Sequence, residues 1–385
     1  MVGVASDRPL RHREPAWTPR PTLDGSDYRS EAVAADERER IWFEQWVCVG
    51  RSEEVARPGD YLVRDLAGES ILVVRNASGA IRAFYNVCAH RGTRLLDDVP
   101  ACGHLGRVVK CPYHAWSYDL DGRLLATPNV AEDERFERAD HRLNAVAAEE
   151  YAGFVFVSLA ADPGPLDAAL RSSVETITDF ERYRMADLRL ARRLVYEVEA
   201  NWKVIVENYN ECLHCPTIHP ELVYVIPLYR KGEVWDGETR DGGNRMRDGA
   251  TSFTVTGASD LPKFPGLEPE DYHMYYGAYQ FPNLMVNLHP DAVMTYVLYP
   301  RGVAHTTVIS EFLFRPEAIA APGFDPSPIV DLWDLVSRQD WIVCERAQRG
   351  VSSRGYRHGV YPRKDRLLFS FNEQWRAAMG RPLVG

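Results

Sequence analysis

The sequence predicts an α+β protein in two parts. A small all-β domain led by a helix occupies residues 38–160, and a larger domain, a central antiparallel sheet flanked by helices, occupies residues 161–385. A polar tail, residues 1–37, precedes both. Three observations support this. At 385 residues the chain is long enough for two separate cores. From Tyr61 to Leu159 short apolar runs recur between Gly, Asn and Asp turn signals, as strands of an antiparallel sheet do. Further on, residues 202–213 and about 327–349 carry helical spacing instead.

The tail ("MVGVASDRPLRHREPAWTPRP" and onward) is polar and Pro-rich, with no apolar signal core, and is expected to be loosely ordered to about residue 35. Residues 38–48, "RERIWFEQWVC", have the pattern of an amphipathic helix. Strands follow in "YLVRDL", "SILVVRN", "IRAFYNV", "RVVKCPY", "WSYDL" and "GFVFVSL". "DPGPLDAALRSSVETITDFERYR" is expected to be a linker and helix, and "RLVYEVEANW" a strand. "NLMVNLHPDAVMTYVLYP" predicts a hairpin turning at His289, Pro290 and Asp291.

Composition excludes several classes. A net charge of −10 argues against nucleic acid as the main partner, and no apolar run is long enough to span a membrane. Seven cysteines, an odd number in a large chain with no signal segment, do not suggest a disulfide framework. They suggest buried thiols or metal ligands in a reduced cytoplasm.

Two loops of the small domain pair a cysteine with a histidine. "NVCAHRG" supplies Cys88 and His90, and "KCPYHAWSY" supplies Cys111 and His114. Two such loops suit a [2Fe-2S] cluster in which one iron takes two Cys and the other two His. A Cys2His2 zinc site competes. Zinc fingers, however, place both cysteines before both histidines with a helix between, whereas here the order alternates and strands flank both loops. Tyr113 and Trp116 suit either packing round a cluster or filling the core. Cys102 and His104 are expected in a turn.

"VENYNECLHCPTIHP", residues 206–220, is the second cluster of ligand types. Drawn as a helix from Trp202 to Leu213, it places Val204, Glu207, Glu211 and His214 on one face, and Pro216 ends it so that His219 follows in a turn. His214 and His219 can then converge on one ion. Cys212 points away and Cys215 lies beside His214, so a zinc knuckle is not expected, and the C-x-x-C spacing lacks the preceding strand of a thioredoxin-type redox pair. Two imidazoles with one carboxylate and open positions make the facial triad of a mononuclear Fe(II) site. In the C-terminal helix Asp340 interrupts the apolar stripe Ile329, Trp333, Val336, Val343 and Ala347, while Asp331, Asp334, Arg338 and Glu345 fall opposite. A carboxylate on a core face must be paired or metal-bound. Asp340 is the candidate third ligand, with a salt bridge to a buried Arg as the alternative.

The two motifs, in this order, resemble those of the Rieske non-haem iron oxygenases over about residues 38–350. Glu211, His214, His219 and Asp340 match that family's acid-x-x-His-x4-His and its distant Asp one by one, and Asn208 matches a polar position near the iron. The gap between His90 and Cys111 is long for the family, which implies an extended loop over residues 97–107.

The resemblance implies a [2Fe-2S] cluster and a mononuclear Fe(II). NAD(P)H would act only through a separate reductase carrying flavin and iron–sulfur, and O2 would be consumed. It also implies a homotrimer in which Glu211 links His114 of one chain to His214 of the next. Glu at position 211 and the wording of "ENYNECLHCP" and "FPNLMVNLHPD" are similar to the branch acting on quaternary amines such as glycine betaine, carnitine and proline betaine. A trimethylammonium group would be held by cation–π attraction. Candidates come from the aromatic cluster Tyr272, Tyr275, Tyr276, Tyr279, Phe281, Tyr296 and Tyr299, among which Tyr276, Tyr279, Phe281, Tyr296, with Asn287, are the expected substrate contacts. The expected reaction is hydroxylation and N-demethylation of a small quaternary amine with release of formaldehyde. The alternatives are an aromatic-acid hydroxylase or O-demethylase, favoured if Arg230 and Lys231 face the iron, and an electron-carrying Rieske protein, which would not need the second domain.

Overall fold

The structure is a computed structural model and describes residues 17–97, 101–128, 130–131, 135–171, 180–234 and 243–384. A seven-stranded antiparallel sheet forms the first domain. Its spatial order is Val47–Arg51, Phe154–Ser158, Ala145–Tyr151, Ile81–Tyr85, Glu69–Arg75, Asp60–Leu66 and Cys102–His104. A small sheet of Val109–Lys110, Ser117–Tyr118 and Leu124–Ala126 carries the second Cys–His loop. The second domain is built on a six-stranded sheet: Arg189–Val198, His305–Phe314, Val293–Gly302, Leu284–Leu288, Met274–Gln280 and Asn244–Arg245. The helices Trp202–Tyr209 and Ser327–Val351 pack together against it. Leu288 pairs with Val293, so the predicted hairpin turns at His289, Pro290 and Asp291. Among the described residues no helix is long and apolar enough to cross a membrane.

The two sheets meet along Val47–Arg51. Asn283 reads both backbone groups of Cys48: its Oδ1 accepts from Cys48 N (3.0 Å) and its Nδ2 donates to Cys48 O (2.9 Å). Every residue of Val47–Arg51 and of Phe154–Ser158 is buried, because both faces of these strands are covered.

Three sequence expectations are corrected. The helix expected over residues 38–48 ends at Trp42, and Val47–Arg51 is a strand, since pairing with Phe154–Ser158 prevails over the helical spacing. The tail is ordered from residue 17, with helices Gly25–Arg29 and Glu31–Glu37, and residues 1–16 lie outside the described residues. Its polar composition misleads because two of its acids, Asp27 and Glu37, are buried and paired with Arg381 and Lys203. Buried Glu37 accepts from Lys203 Nζ (2.5 Å), Trp202 Nε1 (3.0 Å) and Trp375 Nε1 (2.7 Å). Arg20–Pro21 also pairs with Val360–Tyr361. Finally, Cys102 and His104 lie on an edge strand beside Asp60–Leu66, where His104 Nδ1 meets Asp60 Oδ1 at 2.8 Å. Part of the loop expected over residues 97–107, and residues 172–179 of the expected linker helix, lie outside the described residues.

Candidate metal centres and the cavity between the helices

In the first centre Cys88 sits in a turn closed by Cys88 N to Thr93 O (2.8 Å) and Gly92 N to Cys88 O (3.0 Å). The second loop closes by Cys111 N to Trp116 O (2.8 Å), with Ala115 in the left-handed region (φ 60°). The loops bring the His90 and His114 rings to 4.9 Å between centroids, beside two buried cysteines. Nδ1 of both histidines is buried and has no hydrogen-bond partner. Two orphaned nitrogens beside two buried sulfurs are the donor set that a Rieske cluster completes. Trp116 stacks on His90 at 4.5 Å, whereas Tyr113 is 57% exposed and tilts over His114. The Tyr118 hydroxyl accepts from Ala89 N (3.1 Å) and lies 3.2 Å from Cys88 Sγ, a contact with the sulfur that the sequence reading missed.

The second centre depends on where a helix stops. Asn201 caps Trp202–Tyr209, which ends at Asn210, short of the predicted Leu213. Pro216 does not end a helix but opens Cys215–Ile218, and Pro220 opens Pro220–Val225. A proline in the first turn loses no hydrogen bond. The predicted face therefore divides. Glu207 turns back to accept from Tyr28 (2.6 Å) and Tyr361 (3.1 Å), away from the centre, while the turn after Asn210 presents His214. His214 Nε2 and His219 Nε2 lie 3.2 Å apart. Asp340 Oδ1, from the long helix, lies 2.9 Å from His219 Nε2 and 3.3 Å from His214 Nε2. The turn also joins Cys212 and Cys215 in a disulfide, Cα to Cα 4.9 Å, against the expectation from a continuous helix.

The other ring nitrogens are fixed from behind. His214 Nδ1 meets Glu211 Oε1 at 2.5 Å, and His219 Nδ1 meets Gln339 Oε1 at 2.7 Å. Acceptors there hold the proton on Nδ1 and turn the Nε2 lone pairs toward Asp340, the arrangement a metal needs. With no metal at the site, burial opposes the charge on His214, but the Asp340 and Glu211 carboxylates carry it up to about 10, so a metal would bind by displacing the Nε2 proton. Burial likewise opposes the charge on Asp340, and the two histidines hold it below the usual range. Asn208 Nδ2 lies 3.4 Å from His214 Nε2. Gln339 went unnoticed in the sequence, although it adjoins Asp340.

A cavity of about 70 Å³ opens on His214, His219 and Asp340, walled by Tyr229, Phe253, Tyr275 and Trp333. Phe253 stacks on both His289 (4.7 Å) and Trp333 (4.9 Å). Burial pushes His289 down to about 3, so the ring is neutral and its Nε2 accepts from Trp333 Nε1 (3.2 Å), fixing the indole. Asn287 supports the wall by accepting from the hydroxyls of Tyr275 (2.7 Å) and Tyr209 (3.0 Å). The expected substrate contacts fare differently. Tyr276 lies on the opposite face of its strand, donating to Asp271 (2.8 Å), as alternation requires. Tyr279 donates to Pro282 O and packs on Phe371, Phe281 packs on Trp202, and Tyr296 meets Ser337. None of these four lines the cavity, nor do exposed Arg230 and Lys231.

Residues 45–146 match the Rieske [2Fe-2S] domain family, and residues 185–381 match the catalytic domain of the ring-hydroxylating alpha subunit. The chain belongs to the Rieske non-haem iron oxygenases. The oxygenase is 32% identical over 333 residues to the carnitine monooxygenase oxygenase subunit of Acinetobacter baumannii, covering 86% of this chain and 85% of that one. To the glycine betaine monooxygenase oxygenase subunit of Chromohalobacter salexigens it is 32% identical over 367 residues, covering 87% and 80%. Among solved structures it resembles a quaternary ammonium Rieske monooxygenase in complex with L-carnitine, at TM-score 0.72 and 28% identity over 94% of this chain and 96% of that one. Naphthalene 1,2-dioxygenase from Rhodococcus shares the fold at TM-score 0.69 and 20% identity, over 92% of this chain and 93% of that one. The oxygenase uses a Rieske cluster and a mononuclear iron, with electrons from a separate reductase.

Proposed function

We propose that the oxygenase hydroxylates a methyl group on a small quaternary amine. The observation that carries this reading is the aromatic wall of Tyr229, Phe253, Tyr275 and Trp333 facing the His214, His219 and Asp340 ligand set. Ring faces attract a cation that cannot hydrogen-bond. The relatives' names point to the same substrate class.

In this reading Cys88, His90, Cys111 and His114 hold the cluster, and His214, His219 and Asp340 hold the iron. When bound, these centres supply electrons and O2 activation for inserting one oxygen atom into a C–H bond next to nitrogen. The chain's residues do the rest. Phe253, Tyr275 and Trp333 place the ammonium methyls at the ligand set, and Asn287 and His289 keep those rings in position. Glu211 holds Nδ1 of His214 and extends toward a second subunit, where His114 of the partner subunit would complete the electron path within a homotrimer. Surface placement supports this, since Tyr113 beside His114 is 57% exposed and Leu213 beside Glu211 is 40% exposed. A hydroxymethyl group on a quaternary nitrogen then leaves as formaldehyde and a proton, giving the tertiary amine.

The test is product formation by the purified oxygenase with a surrogate reductase and NADH. The panel sets glycine betaine, proline betaine, carnitine and choline beside benzoate-type acids. An oxidised or dealkylated product from one quaternary amine is the expected result. Hydroxylated aromatic acid with inert amines would overturn the substrate reading and leave both metal centres standing.

A further inference from the structure

The disulfide lies inside the metal centre. Both cysteines are buried and line the same cavity as His214, His219 and Asp340. Cys215 Sγ stands 3.9 Å from His214 Nε2, and with the two histidines it forms a group whose ligand atoms all lie within 4.8 Å of one another. Tetrahedral bonds of ~2.0 Å to nitrogen and ~2.3 Å to sulfur would put those two atoms about 3.5 Å apart. The Cys215–His214 separation is thus a few tenths of an ångström longer than two ligands of one zinc require. In the disulfide it is bonded to Cys212 and has no thiolate to offer. As a free thiol it would be a fourth donor.

We propose that reduction of the Cys212–Cys215 bond converts the three-ligand centre into a closed four-ligand centre of His214, Cys215, His219 and Asp340 that takes zinc in place of iron. The disulfide is then what keeps a coordination position free. This inference rests on the assignment of the metal to His214, His219 and Asp340. The chemistry balances: a dithiol reductant gives up two electrons and two protons and becomes a disulfide, while Cys212 and Cys215 become thiols. Cys215 then releases its proton on binding Zn2+. Thiolate favours zinc over Fe2+, and four protein ligands close a tetrahedral site. A chain made in a reducing compartment begins with both thiols free, so bond formation decides which metal the centre accepts.

The experiment strips the mononuclear metal from the full chain with its cluster retained, then loads Zn2+ and reads the zinc K-edge fine structure. Oxidised wild type, dithiothreitol-reduced wild type, C212A and C215A are compared. The expected result is a sulfur shell near ~2.3 Å in reduced wild type and C212A, and nitrogen and oxygen alone in oxidised wild type and C215A. In a competition between equal Fe2+ and Zn2+, the zinc share should rise at least tenfold from C215A to C212A. Zinc bound through nitrogen and oxygen in all four samples would overturn the inference while leaving the metal centre intact. Zinc retained undiminished in an H219A control would show that the metal sits elsewhere, and would overturn both the assignment and the inference.

Discussion

Glu211 Oε1 lies 2.5 Å from Nδ1 of His214, so the acid reaches the proposed metal ligand through the ring nitrogen turned away from His219 and Asp340. Such a carboxylate orients the ring without occupying the coordination sphere. Glu211→Gln keeps an acceptor at the same reach and removes the charge. Both centres should stay loaded, and reoxidation of the reduced cluster by O2 in the presence of substrate should slow, measured in a single turnover. Loss of mononuclear iron in this variant would instead make Glu211 a support of the metal itself.

Asp340 and Gln339 are neighbours on one helix with different duties, and their variants should separate. Asp340→Ala leaves only two imidazoles and should empty the mononuclear centre, with the visible spectrum of the cluster unchanged. Gln339→Leu removes the acceptor from His219 Nδ1 and should weaken iron binding by ~10–100-fold without abolishing it. Titration of the stripped chain with Fe2+ checks both.

The aromatic wall should act on binding. Phe253→Leu retains bulk but loses a ring face worth ~1–2 kcal/mol toward a desolvated cation, so KM for the amine should rise about 5–30-fold while kcat changes less. Tyr276→Phe, on the far face of the strand, should leave KM unchanged. A comparable KM rise in both variants would indicate general loosening of the sheet.

Glu207 gives a pH signature. Burial pushes it up to about 7, against the bonds from Tyr28 and Tyr361, which lower it. An acid with a raised native pKa keeps its proton when the unfolded chain, near ~4.3, has lost it, so stability falls as pH climbs between these values. The full effect is on the order of 3 kcal/mol by linkage. Glu207→Gln should flatten the fall in thermal midpoint between pH 5 and pH 8 that the wild-type chain shows.

What the sequence disclosed and what it hid have physical causes. That Cys88, His90, Cys111 and His114 gather in one place, and His214, His219 and Asp340 in another, was legible because such residue types at fixed spacings have few other uses. The path of the backbone between them was less so. Pro216 reads as a helix end, yet proline is equally at home in a first turn, and only the stop at Asn210 separates the two readings. That stop also brings Cys212 to Cys215. The cavity wall was hidden because Phe253 and Trp333 are distant in sequence from the tyrosine-rich strand, and because one register step puts Tyr275 inside and Tyr276 outside. The tail looked unstructured because Glu37 finds its cation, Lys203, 166 residues away.

The pairing of Arg20–Pro21 with Val360–Tyr361 has a topological consequence. With Tyr28 and Tyr361 both tied to Glu207, it closes the chain into a clasped ring behind Trp202–Tyr209, the helix that leads into the turn carrying His214. Neither segment can fray without releasing the other, so these two segments, remote in sequence, should protect their amides as one cooperative unit. A cut or fusion near residue 20 would be felt at the same helix as one near residue 361.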